Sequence, residues 1–159
     1  WRGTAMARID RGPTILHSLV ATLGGLPPAQ ERCPLQLDIT PATRWGMAGE
    51  LWRRDFGGFV LESFQWAEGD LLRESFGWLS MAFRLAVEPP KLVLHVASVR
   101  FSGIPIPRLL APGGTGIEEG RDDGVAFEAT ATAPLLGMVV RYRGLLVEEA
   151  TPLAHSEPG

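Results

Sequence analysis

The sequence predicts a mainly β fold: a curved antiparallel sheet or an up-and-down, calycin- or lipocalin-like barrel of seven to nine strands, with one N-terminal helix. Three observations predict it. Apolar residues recur with a period of two over most of the chain after Pro34. Short connections bearing Gly or Pro separate these runs, as hairpins require. No helices alternate with the strands, which argues against a parallel α/β fold. A twisted sheet of this size must curl or close to remove its edges. A curved sheet wrapped around the helix, an α+β arrangement, satisfies the same pattern.

Residues 1–10 read as a strand ending at Gly12. GPTILHSLVATLGG then reads as a helix, with Pro13 in the first turn and Ile15, Leu16, Leu19, Val20 and Leu23 as an apolar stripe awaiting cover. Gly24-Gly25 and Leu26-Pro27-Pro28 stop it. His17 lies one residue off the stripe and reads as a boundary or surface residue. Leu35, Leu37 and Ile39 alternate with Gln36 and Asp38 as a half-buried strand, and Thr40-Pro41 reads as a turn.

In ELWRRDFGGFVLES, Gly57-Gly58 is a two-residue hairpin turn, because paired positive φ values favour glycine. Residue 56 then faces 59, 54 faces 61 and 52 faces 63. One face collects Trp52, Arg54, Phe56, Phe59, Leu61 and Ser63; the other pairs Arg53 with Glu62 in solvent. The apolar face is therefore the inner one, and Arg54 is a charge pointing into it. A turn at Glu68-Gly69 puts Glu74 opposite Ser63 on the same face. An inward charge is costly unless paired, so Arg54 and Glu74 are expected within hydrogen-bonding range of each other or of a ligand.

Further on, Leu79, Met81, Phe83, Leu85 and Val87 share a face and return through Pro89-Pro90 to Leu92, Leu94, Val96 and Ser98, with Arg84 opposite His95 outside. Residues 102–124 break the pattern and read as one long irregular connection, a pocket rim. A last hairpin turns at Pro134-Leu135, pairing Ala131 with Met138, Phe127 with Tyr142 and Glu128 with Arg141. The β-rich domain thus spans 1–150, and residues 151–159 read as a flexible tail. The chain begins at Trp1 without a methionine, which reads as an N-terminally trimmed fragment.

Composition excludes several classes. With 159 residues, 45% apolar and 21% charged, the chain fits one folded domain. A net charge of −3 and a pI near 5.6 give no footprint for nucleic acid. The basic residues are scattered along the chain, without a polybasic run. No apolar run reaches the roughly 20 residues of a membrane span. The single cysteine, Cys33, forms no internal disulfide and reads as a strand-edge residue, which fits a reducing cytoplasm. There is no G-x-S-x-G, HExxH, CxxC or phosphate-cradling loop. The acidic run Glu118, Glu119, Asp122 and Asp123 lacks the ligand spacing of a calcium loop. No catalytic residue, metal or cofactor is expected, although Glu50 and Glu74 are a carboxylate pair the faces permit.

The W-x-R-x-F-G-G-x-x-x-x-S run from Trp52 to Ser63, GIPIPRLLAP from Gly103 to Pro112, PLLGMVVRYRGLL from Pro134 to Leu146 and the helix ending in GGLPPA carry a resemblance. In these stretches the chain resembles an uncharacterised bacterial family of domains of unknown function, found alone or at the C-terminal end of saccharopine-dehydrogenase-like proteins. The resemblance implies an accessory role beside a reductase domain, with no nucleotide site in this chain, which lacks G-x-G-x-x-G. From the residues, the leading expectation is a non-catalytic domain holding an apolar, amphipathic or acidic small molecule on the concave face. Trp52, Phe56, Phe59, Phe83 and Tyr142 would line it, Arg54 with Ser63 and Glu74 would meet the head group, and Arg108 would be a second anchor. A structural or protein-interaction domain with a filled core is the alternative, and an enzyme using Glu74 or Glu50 with Arg54 the third.

Overall fold

The computed structural model describes residues 1–149, and the expected tail at 151–159 lies outside them. Strand β1 (Arg2–Arg11) leads into helix α1 (Ile15–Leu23), and then a meander begins. It comprises β2 (Gln30–Arg44), β3 (Met47–Phe56), β4 (Phe59–Glu68), β5 (Leu71–Phe76), β6 (Leu79–Glu88), β7 (Lys91–Phe101), β8 (Ile104–Pro105), β9 (Gly113–Arg121), β10 (Gly124–Ala133) and β11 (Gly137–Glu148). Every strand pairs antiparallel with its neighbours, β1 joins β11, and β7 bridges β6 and β9. The result is a closed up-and-down barrel of ten strands, with β8 an extra short strand on β7. Closure removes the edges that an open sheet of this size would expose.

The strand number exceeds the expected seven to nine because half of the supposed loop 102–124 is β9. Its Gly113, Gly114 and Gly116 look like loop punctuation, but Gly114 serves a close approach: a Cβ there would collide with the Thr130 carbonyl oxygen of β10. Likewise no turn forms at Thr40-Pro41. Strand β2 continues through it to Arg44, because β1 has ended by Asp38 and the proline needs no donor on that side.

The β3–β4 register is as expected, with Phe56 facing Phe59, Arg54 facing Leu61 and Arg53 facing Glu62. Gly57 and Gly58 take φ of 61° and 103° to make the turn. The β6–β7 register also holds from Val87 to Phe83, after which a bulge shifts it. Two turns differ. The β4–β5 turn falls on Gly69-Asp70, so Glu74 faces Gln65 rather than Ser63. The β10–β11 connection takes Pro134, Leu135 and Leu136 with a bulge, so Phe127 faces Gly144 and Ala129 faces Tyr142. Both slips are by two residues, which preserves the face each side chain occupies.

Helix α1 departs most from expectation. Thr14, not Pro13, starts it: its side chain accepts from the His17 amide as an N-cap. The buried face is His17 and Ala21, while Ile15, Leu16, Leu19 and Leu23 of the supposed core stripe are exposed. The His17 ring bonds Thr14 Oγ1 at 2.6 Å and the Leu136 carbonyl oxygen at 3.1 Å, pinning the helix to the β10–β11 turn. Gly12 makes room for that ring, since a Cβ there would overlap it. Beyond the helix, Arg11 donates to the Pro27 and Leu26 carbonyls at 2.9 and 2.6 Å and fixes the return to β2.

Inside, one flank of the barrel is packed solid by Ala7, Ile9, Cys33, Leu35, Phe56 and Val140. Cys33 is thus a core residue rather than a strand-edge one, and burial raises its thiol pKa.

Candidate functional site

Away from that packed flank, the barrel encloses a cavity of about 340 Å³, partly open to solvent and lined mainly by apolar side chains. It extends from Gly24 and Leu26 behind the helix, past Leu72, Phe83 and Leu94, to Leu92 and Leu146. Alternation on β3, β4 and β5 sends Arg54, Ser63, Gln65 and Glu74 inward, and all four are buried.

These four form one hydrogen-bonded unit. Arg54 donates to Ser63 Oγ at 2.9 Å and to Glu74 Oε1 at 3.1 Å. Ser63 Oγ donates to the same Oε1 at 2.6 Å, and Gln65 Nε2 at 3.0 Å. Three donors converge on one carboxylate oxygen; Oε2 accepts none of them and is left for a donor arriving from the cavity. The Arg54 guanidinium also lies over the Trp52 ring, 5.0 Å from its centroid. Burial of a charge in an apolar barrel is thereby offset by an ion pair, two neutral hydrogen-bonding groups and an aromatic face.

Two further groups at the cavity have no protein hydrogen bonds among the described residues. Glu118 of β9 shares the inner face of Leu92 and Leu94 on β7, and it reaches the cavity wall. Burial pushes its carboxyl above the ordinary range, against the pull of Arg54. The Tyr142 ring packs edge-on against Phe56, 5.4 Å between centroids, and its hydroxyl is raised by burial, lowered by Arg54 and raised by Glu74.

Among the residues singled out from sequence, Trp52, Arg54, Glu74, Phe83 and Tyr142 line the cavity. Ser63 lies behind the ion pair, and Phe56 belongs to the packed core with Phe59 against it. Arg108 is a correction: it is exposed in the turn closed by Leu110 and Ala111 on the Pro107 carbonyl, away from the cavity lining. Glu50 does not pair with Glu74; it is exposed and accepts from the Trp52 indole at 3.0 Å. Sequence reasoning missed Gln65 and Glu118. Gln65 was legible as the residue two beyond Ser63 on the same strand face. Glu118 was hidden because its strand was read as loop.

Fold and cavity together define a small closed antiparallel β-barrel with a hollow, mostly apolar interior and one internal polar cluster. The chain belongs to the family described as Domain of unknown function (DUF4166), whose family model matches residues 1–146. No curated protein and no solved structure matches it.

Proposed function

We propose that this domain binds an apolar or amphipathic small molecule inside the barrel, without catalysing a reaction on it. The observation that carries the reading is the 340 Å³ cavity, whose apolar lining is interrupted by a preorganised polar cluster at one place. Apolar walls supply affinity by burial, and the few polar groups orient the head group.

Charge balance refines the head group. Arg54 is already neutralised by Glu74 at 3.1 Å, so no free cation awaits a carboxylate or phosphate. The unclaimed groups are Glu74 Oε2, which accepts, and the Glu118 carboxyl and Tyr142 hydroxyl, which accept and, when protonated, donate. A hydroxyl- or amine-bearing apolar molecule complements them better than the acid expected from Arg54 alone.

Native mass spectrometry of freshly purified protein, with organic extraction, tests this, together with titration by a neutral naphthalene dye. A retained molecule or saturable dye binding is expected. Both should be lost in Gly116→Leu, which fills the cavity where a Cβ would sit 3.5 Å from Leu94, in ordinary contact. An apo mass together with no dye binding would establish the filled, non-binding domain instead.

A further inference from the structure

The connections between strands alternate between the two ends of the barrel, and the two ends differ in kind. One end carries α1 with its flanks (12–29), then 57–58, 77–78, the β7–β9 connection (102–112) and 134–136. These segments contain no carboxylate, and Arg108 is their only charged side chain. The opposite end carries Asp70, Asp122 and Asp123 in its turns, with Glu68, Glu88, Glu119 and Glu148 beside them against Arg2, Arg44, Lys91 and Arg121, so it is net acidic.

The first end is also where most of the exposed large apolar side chains gather. On α1, Ile15 and Leu23 are 89% and 79% exposed, with Leu16 and Leu19 half exposed on the same helix. Trp78 is 76% exposed in the β5–β6 turn, whose carbonyl accepts from the Ser102 amide and so joins it to the β7–β8 turn. That turn presents Phe101 and Ile104, and the next presents Leu109, 88% exposed, and Leu110. Leu135 projects from the β10–β11 turn against which the helix is pinned. Four of the five corners at this end are therefore apolar, a crown well beyond the scattered exposed leucines of an ordinary surface. Around its rim stand exposed Arg32, Arg100 and Arg108, with exposed Glu31 beside Arg32 and half-buried Asp55 at the β3–β4 turn, so the rim carries a net positive charge.

We propose that this end docks onto the interface of an anionic lipid bilayer. Apolar tips enter the headgroup–acyl boundary, the arginines meet lipid phosphates, and the acidic end faces away into solvent. Charge decides for an anionic bilayer over a second copy of the chain. Two copies meeting at this end would bring two net-positive rims together, whereas anionic lipid complements one. The flanks of the barrel cannot be the contact, since they carry outward ion pairs such as Arg8–Asp10 at 2.9 Å and Arg53–Glu62 at 3.9 Å. This inference does not depend on what occupies the cavity.

Co-sedimentation with vesicles tests it, using phosphatidylcholine alone and phosphatidylcholine mixed with phosphatidylglycerol. The protein should pellet with the anionic vesicles, less so in high salt. Leu109→Glu with Leu110→Glu should lower partitioning by about tenfold or more. Arg108→Glu should lower it roughly fivefold on anionic vesicles. Val87→Glu, an exposed apolar site on the opposite half, should change nothing. All of these positions are exposed, and circular dichroism checks that each variant folds. Absence of sedimentation with both vesicle types overturns the proposal, as does binding indifferent to the crown substitutions. A dimer that Leu109→Glu with Leu110→Glu dissociates, in protein that ignores vesicles, overturns it in favour of self-association.

Discussion

Arg53 and Arg54 are neighbours in one strand, each facing a carboxylate, and they live in opposite worlds. Arg53 lies outside, 3.9 Å from Glu62 and 3.5 Å from Asp55, partly exposed and screened by water. Arg54 lies inside, 3.1 Å from Glu74, with Ser63 and Gln65 bonded to the same carboxylate oxygen. A charge pair is therefore no fixed quantity. Outside, water has already satisfied both partners and the contact adds little. Inside, removal of either partner strands the other in an apolar barrel.

That contrast sets the largest expected effect. Glu74→Ala should lower unfolding stability by about 3–5 kcal/mol, read by urea denaturation. Glu62→Ala should change it by roughly 0.5 kcal/mol or less. The double variant Arg54→Leu, Glu74→Leu sharpens the comparison. If the pair is retained for orientation rather than stability, the double variant regains most of what Glu74→Ala loses, yet no longer holds a ligand head group. Equal losses from Glu62→Ala and Glu74→Ala would break the distinction between the two walls.

Strand β9 repeats the contrast with carboxylates. Glu119 points outward and reaches Arg121 at 3.5 Å, whereas Glu118 points into the cavity without a protein partner. The Glu118 carboxyl is raised by burial above an ordinary value of 4.5, so the folded chain holds its proton to higher pH than the unfolded chain does. Its contribution is complete below the unfolded value and is lost as pH rises through the folded one. Glu118→Gln should thus flatten the decline in stability above pH 4.5 and leave the variant more stable than the parent at pH 7. Glu119→Gln supplies the control. A steeper decline in Glu118→Gln would show that the carboxylate is satisfied inside after all.

These two pairs also show what was legible in the sequence and why. Around Gly57-Gly58 the turn chemistry is strong, so the register follows and with it the inward placement of Arg54. At Gly69 and at Pro134 the turns slip by two residues, yet faces survive because strand side chains alternate with period two. The Arg54–Glu74 contact was readable for that reason alone. Strand β9 was not, because its Gly114 answers to a neighbouring strand, Thr130 on β10, that no local pattern announces. The helix misled for a related reason. Its apolar stripe has the spacing of a buried face, but the barrel closes on its own strands and takes only the small Ala21 and the bonded His17.

The smallest effect on stability should come from Tyr142→Phe, and it separates the packed flank from the hollow one within a single side chain. The Tyr142 ring belongs to the packed flank, edge-on to Phe56 at 5.4 Å and tilted against Phe127 at 6.3 Å. Its hydroxyl bonds to no described residue, and burial keeps it protonated far above neutral pH. Phenylalanine keeps the ring contacts, so the denaturation midpoint should move by no more than about 0.5 kcal/mol. Ligand affinity, by contrast, should fall roughly threefold to tenfold, the worth of one hydrogen bond of about 0.5–1.5 kcal/mol. A loss of stability with unchanged binding would reverse the assignment, making the hydroxyl part of the scaffold and moving the head group to the Glu118 side of the cavity.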